Sequence, residues 1–171
     1  NRISDTIVAA LPKPPTSSDD EVRVRLAEDA FSRSLYARAV ELLTAPLSSS
    51  DPVLLARRSV ALLRSRVALD ARSVTRSEVA AVGRSLRSRL RITDEHRQRQ
   101  FAHFALCSAR VRFQYEDFHG AACIARRAIR RARQLRSHGL MAEACNNRAI
   151  CLQRVGRDAD AELVLSRSTR L

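Results

Sequence analysis

Phe118-His119-Gly120-Ala121, Tyr36-Ala37-Arg38-Ala39 and Asp158-Ala159-Asp160-Ala161 stand in one frame. The first two read aromatic-x-x-Ala just past a helix break, and the third is a degenerate copy. Their alanines fall at 39, 121 and 161, so the gaps are 82 and 40 residues. A gap of 82 is two steps of 41, and Ala80 lies where the missing copy belongs. Self-similarity at a period of about 20 to 50 residues marks a repeat architecture, in which each unit buries its apolar face only against its neighbours.

Composition agrees with helices. The chain has 171 residues, 45% apolar, with 4 Gly, 5 Pro and 4% aromatics. That is long enough for a proper core and too apolar for a disordered chain. Few turn formers and abundant Ala, Leu and Arg favour helices packed through small residues over strands. No apolar run reaches the length of a membrane span. The chain lacks an initiator Met and a basic, small-residue leader, which predicts a segment of a longer protein. Cys107, Cys123, Cys145 and Cys151 form no spacing framework, so free thiols and a cytoplasmic setting are expected.

The net charge is +13, and it is unevenly spread. Residues 1–50 hold 6 basic and 7 acidic side chains, and residues 141–171 hold 5 and 4. Residues 51–140 carry 20 Arg against 7 acids and so supply the whole excess. Lys13 is the only lysine, so GC-rich coding accounts for the Arg usage as readily as an anionic partner does.

Along the chain, residues 1–18 read as a short helix and a Pro/Ser linker, and residues 19–171 as the repeat domain. Ser18 with Glu21 reads as a capping box before a stripe of Val22, Leu26, Ala30 and Phe31. A partner helix from Tyr36 packs Ala39, Val40, Leu42 and Leu43. Asp51-Pro52 is an N-cap followed by Pro at the first helical position. Thr75 with Glu78 is a second capping box, opening a helix with Val79, Val82 and Leu86 inward. Thr93-Asp94 opens a long helix through Phe101, Phe104, Ala105, Ala109 and Phe113. Asp117 caps a helix with Ile124, Ala128, Ile129, Ala132 and Leu135 inward, and Ser137-His138-Gly139 breaks it. The fold expected is all-α, four helical hairpins over 19–48, 51–91, 93–136 and 138–171.

The last hairpin, Asn147-Arg148-Ala149-Ile150-Cys151-Leu152 followed by Gly156-Arg157-Asp158-Ala159-Asp160-Ala161, resembles the tetratricopeptide-repeat family in a long-period form of about 40 residues. Asn147, Ala149, Leu152, Gly156 and Ala161 fit the family pattern, while Arg148 stands where Leu is usual. The first hairpin matches through Leu26-Ala27, Ala30, Tyr36, Ala39 and Leu43, and the third through Ala109, Asp117-Phe118 and Ala121. The resemblance covers residues 19–171 and implies a right-handed α-solenoid of antiparallel hairpins whose first helices line a concave groove. It places Glu28, Phe31, Ser32, Asn146, Ile150, Gln153 and Arg154 on that groove and implies a protein or peptide partner. The carboxylate-clamp subset of the family uses Lys, and the repeats here have none.

The alternative partner is nucleic acid or another anion. Arg126, Arg127, Arg130, Arg131 and Arg133 flank the core stripe of one helix, and Arg84 and Arg87 add to them from the preceding hairpin. Guanidinium forks suit phosphate. Aromatics for reading unstacked bases are scarce, which argues against sequence-specific RNA recognition. His103-x-x-x-Cys107 and His119-x-x-x-Cys123 put ligand types on single helix faces, offset along the hairpin by roughly 10 to 15 Å, so no metal and no cofactor are expected. Isolated glycines and the lack of a nucleophile–base spacing argue against an enzyme. The function expected is therefore a protein-interaction scaffold within a larger regulatory or assembly protein. The alternatives are an anion-binding scaffold on residues 84–136 and the sensor domain of a bacterial transcription regulator.

Overall fold

The computed structural model describes residues 17–89 and 95–168, and among these the chain is all-α, without a strand. The helices are α1 (Ser17–Ser32), α2 (Tyr36–Thr44), α3 (Pro52–Asp70), α4 (Arg76–Arg89), α5 (Glu95–Gln114), α6 (Phe118–Gln134), α7 (His138–Arg154) and α8 (Asp158–Ser168). A 3-10 turn, Ala71–Ser73, follows α3. No helix among the described residues is long and apolar enough to cross a membrane. The helix expected near the N-terminus and the Thr93-Asp94 start lie outside the described residues.

Local chemistry sets the helix starts. Asp51 accepts hydrogen bonds from the Val53 and Leu54 amides, with Pro52 at the first helical position where its missing N–H costs nothing. Thr75 and Glu78 exchange side-chain-to-amide bonds at 3.2 and 2.8 Å, a reciprocal capping box. Asp117 accepts from the Gly120 amide and holds Arg112 with its other oxygen.

Four joints repeat one backbone design. Ser34, Glu116, Arg136 and Gly156 adopt left-handed φ of 62°, 59°, 51° and 73°. Each of their amides donates to the carbonyl three residues back, and the next amide donates to the carbonyl five back, which is the Schellman motif. That next residue (Leu35, Asp117, Ser137 or Arg157) also starts the following helix by accepting from the amide four residues on. The last three joints are 20 residues apart, so the 40-residue spacing read from sequence is two equal half-steps.

Each described helix packs on its successor, and α1, α3, α5 and α7 also touch one another in order, whereas α2, α4, α6 and α8 do not. The apolar clusters follow the chain: Val24, Ala27, Ala39 and Leu43 first, then Val60 with Leu86 and Leu63 with Val79 and Val111, then Ala121, Ala128, Ala144, Leu152 and Ala161. Helix α6 buries a line of alanines, Ala121, Ala122, Ala125, Ala128 and Ala132, which admits α5 and α7 closely; Ile124, Ile129 and Leu135 flank it.

Three expectations need correction. In α1, Val22 and Leu26 are 52% and 53% exposed, and Val24, Ala27 and Ala30 take the core. The cause is Asp20, a charged residue that is nonetheless fully buried. It accepts from the Ser48 hydroxyl and the Ser49 amide at 2.7 Å and pairs with Arg23, so α1 is rotated to bring Asp20, Val24 and Ala27 inward. Burial pushes the Asp20 carboxyl up, and those hydrogen bonds outweigh it, leaving it below the ordinary carboxylate range. Second, Ala80 is exposed, and Val79 occupies the buried place of Ala39, Ala121 and Ala161, its amide bonded to Thr75 as theirs are to the joint residues. Third, Arg136 rather than Gly139 makes the break after α6; Gly139 lies inside α7.

Candidate functional site

The contacts among α1, α3, α5 and α7 create a furrow lined by residues three and four apart on each helix, which share one face. On α3 and the 3-10 turn after it these are Arg64, Val67 and Ala71; on α5, Cys107, Arg110 and Gln114; on α7, Glu143, Asn147 and Ile150.

Two recesses adjoin along it. The first, of about 240 Å³, is lined by Val67, Ala71, Ala109, Phe113, Asn147 and Ile150, with Arg110 and Gln114 at its polar edge. Ile150 is 39% exposed despite its apolar side chain. The Asn147 Nδ2 is buried without a hydrogen-bond partner. The second recess is narrow and holds Phe31, Arg64, Leu106, Cys107, Arg110 and Glu143.

Its electrostatics are uneven. Glu143 pairs with Arg110 at 3.1 Å, and Glu28 pairs with Arg57 at 2.8 Å. Arg64 has no carboxylate within ion-pair reach among the described residues; its guanidinium lies over the Phe31 ring, 4.3 Å from the centroid. Burial lowers the Arg64 pKa below its ordinary value. Burial, then Arg64 and Arg99, push His103 down to about 3, so its imidazole is neutral. Burial pushes the Cys107 thiol up to about 12, far from a reactive thiolate.

Of the residues expected on the groove, Phe31 and Ile150 line the recesses, and Arg154 lies 5.9 Å above the Phe113 ring at the edge of the first. Glu28 lies in a neighbouring polar depression with Arg57 and Gln100. Ser32 is exposed, its hydroxyl bonded to the Asp29 carbonyl, and Asn146 and Gln153 are exposed outside the lining. Helix α7 therefore turns Asn147 rather than Asn146 into the furrow. Arg64 and Arg110 were missed because their role depends on which helices stack, and no local pattern encodes that.

The arginine set falls elsewhere. Arg87, Arg127 and Arg131 line a notch with Arg97, Gln98 and Phe101, and Arg130 stands at its rim. Arg84, Arg126 and Arg133 are exposed and do not line it. His119 and Cys123 are exposed on α6, and among the described residues no three His, Cys, Asp or Glu side chains gather as a metal site would require.

Compared with models of protein families, with curated proteins and with solved structures, the chain finds no match.

Proposed function

We propose that the domain is a non-catalytic interaction module, a right-handed α-solenoid of four antiparallel hairpins of the tetratricopeptide kind, which holds an extended segment of a partner protein in the furrow. The serial contacts of α1, α3, α5 and α7 and the repeated joints support the architecture. One observation carries the functional reading: an apolar recess lies beside a half-buried Arg64 that forms no ion pair among the described residues, on the same face. A bound segment would put an apolar side chain against Ile150, Phe113 and Val67 and an acidic one against Arg64, where a charge-assisted bond is strong. The Asn147 amide would donate to its backbone. The neutral His103 and the protonated Cys107 make poor catalytic groups, which supports binding over chemistry.

Selection from a random peptide library tests this. Enriched peptides should pair an acidic with an apolar residue, and their binding should fall at least tenfold in both Arg64→Gln and Ile150→Asp. Peptides without such a motif, or binding that survives both substitutions, would refute the reading.

A further inference from the structure

We propose that the notch between α4 and α6 binds the phosphodiester backbone of a single-stranded nucleic acid, without regard to base sequence. It exists because α4 and α6 do not touch, leaving α5 as the floor. Arg87 comes from one wall, Arg127 and Arg131 from the other, and Arg97, Gln98 and Phe101 from the floor.

Among the described residues, no carboxylate forms an ion pair with the arginines of the notch. Among the described residues, the acids of the basic middle lie elsewhere: Asp51, Asp70 and Asp117 cap helices, Glu116 stands at the joint between α5 and α6, Glu78 pairs with Arg66, and Glu95 pairs with Arg99. Arg87, Arg97, Arg127, Arg130 and Arg131 pair with no carboxylate among them. Burial, then Arg97, Arg127 and Arg130, weaken the Arg131 guanidinium's hold on its proton, a repulsion that a bound anion would relieve. Arg131 is nonetheless held in place, donating to Gln98 at 2.6 Å and lying 5.0 Å above Phe101.

Shape selects among anions. The notch is about 370 Å³. A second depression with Arg130 and Gln134 continues the first along α6 and shares Gln98, Arg127 and Arg131 with it, an elongated track suited to a strand rather than a compact oligophosphate. Both Arg97 and Arg131 lie over Phe101, so cations cover that ring, and Phe104, the other ring of the lining, packs against Gly83 of α4. Recognition therefore rests on the backbone.

The test is fluorescence anisotropy of a labelled, mixed-sequence single-stranded RNA 20-mer across a salt series. Three to four neutralised phosphates give a slope of log affinity on log salt of about −2 to −3. Arg87→Gln with Arg127→Gln removes two exposed guanidiniums from opposite walls. It should weaken binding at least tenfold at about 0.15 M salt and make the slope shallower by about 1.4. Arg25→Gln with Arg33→Gln removes the same charge from α1 and the turn after it and should leave affinity within twofold. Circular dichroism confirms that both variants fold. Equal weakening by the two pairs, tighter binding of a duplex of the same sequence, or displacement by micromolar inorganic triphosphate would each overturn the proposal.

Discussion

The Arg64 guanidinium lies 4.3 Å from the centroid of the Phe31 ring, tying α3 to α1. The contact gives the cation a fixed position at the floor of the furrow while leaving its hydrogen-bonding edge for a ligand. A double-mutant cycle of Phe31→Leu and Arg64→Met, read by urea unfolding, should give a coupling of about 1 kcal/mol. Zero coupling would mean that the ring and the cation are only neighbours.

Charge placed at the helix crossings distinguishes the observed register from the one spacing alone implies. Ala39 and Ala121 are fully buried, so Ala39→Glu or Ala121→Glu should destabilise by about 3 kcal/mol or more. Ala80 is exposed, so Ala80→Glu should stay within about 0.5 kcal/mol of the parent. A large loss at Ala80 would restore the register that places it inside.

Asp20 fastens the start of α1 to the loop after α2. Asp20→Ala removes the acceptor for both Ser48 and Ser49 and leaves Arg23 without its carboxylate. The expected fall in melting temperature is roughly 5 °C or more, and Ser48→Ala should cost less, since the Ser49 bond remains. Equal, small effects would show that the buried carboxylate is incidental.

His103 makes stability depend on mild acid. Its folded pKa is about 3 and its unfolded value about 6.5, so the unfolded chain binds the proton first. The stabilising effect is complete above pH 6.5 and is lost progressively as pH falls toward 3. Between pH 7 and pH 5 the unfolding free energy should drop by on the order of 1–2 kcal/mol, and His103→Phe should flatten that limb. An unchanged pH profile in the variant would place the dependence elsewhere.

The helix starts were legible because their signals are local. Asp51-Pro52, Thr75 with Glu78, and Asp117 each satisfy amides within four residues, and each begins a helix as read. The rotation of α1 was not legible, since nothing near Asp20 in sequence marks it as buried; its partners Ser48 and Ser49 lie 28 and 29 residues away. Likewise the pair Asn146-Asn147 carries no mark of which amide faces α5. The arginine excess was visible as charge, but the notch depends on the gap between α4 and α6, which is a property of three helices together.

The joints at Ser34, Glu116, Arg136 and Gly156 have no spare residue, because the one that closes each helix also opens the next. Losing or gaining a single residue at one of them would turn the helix that follows by about 100° relative to the one before and take buried alanines such as Ala39 or Ala121 out of the crossing. Length variation among descendants of this chain should therefore avoid the four joints, and natural lineages should keep them at fixed length even where their side chains drift.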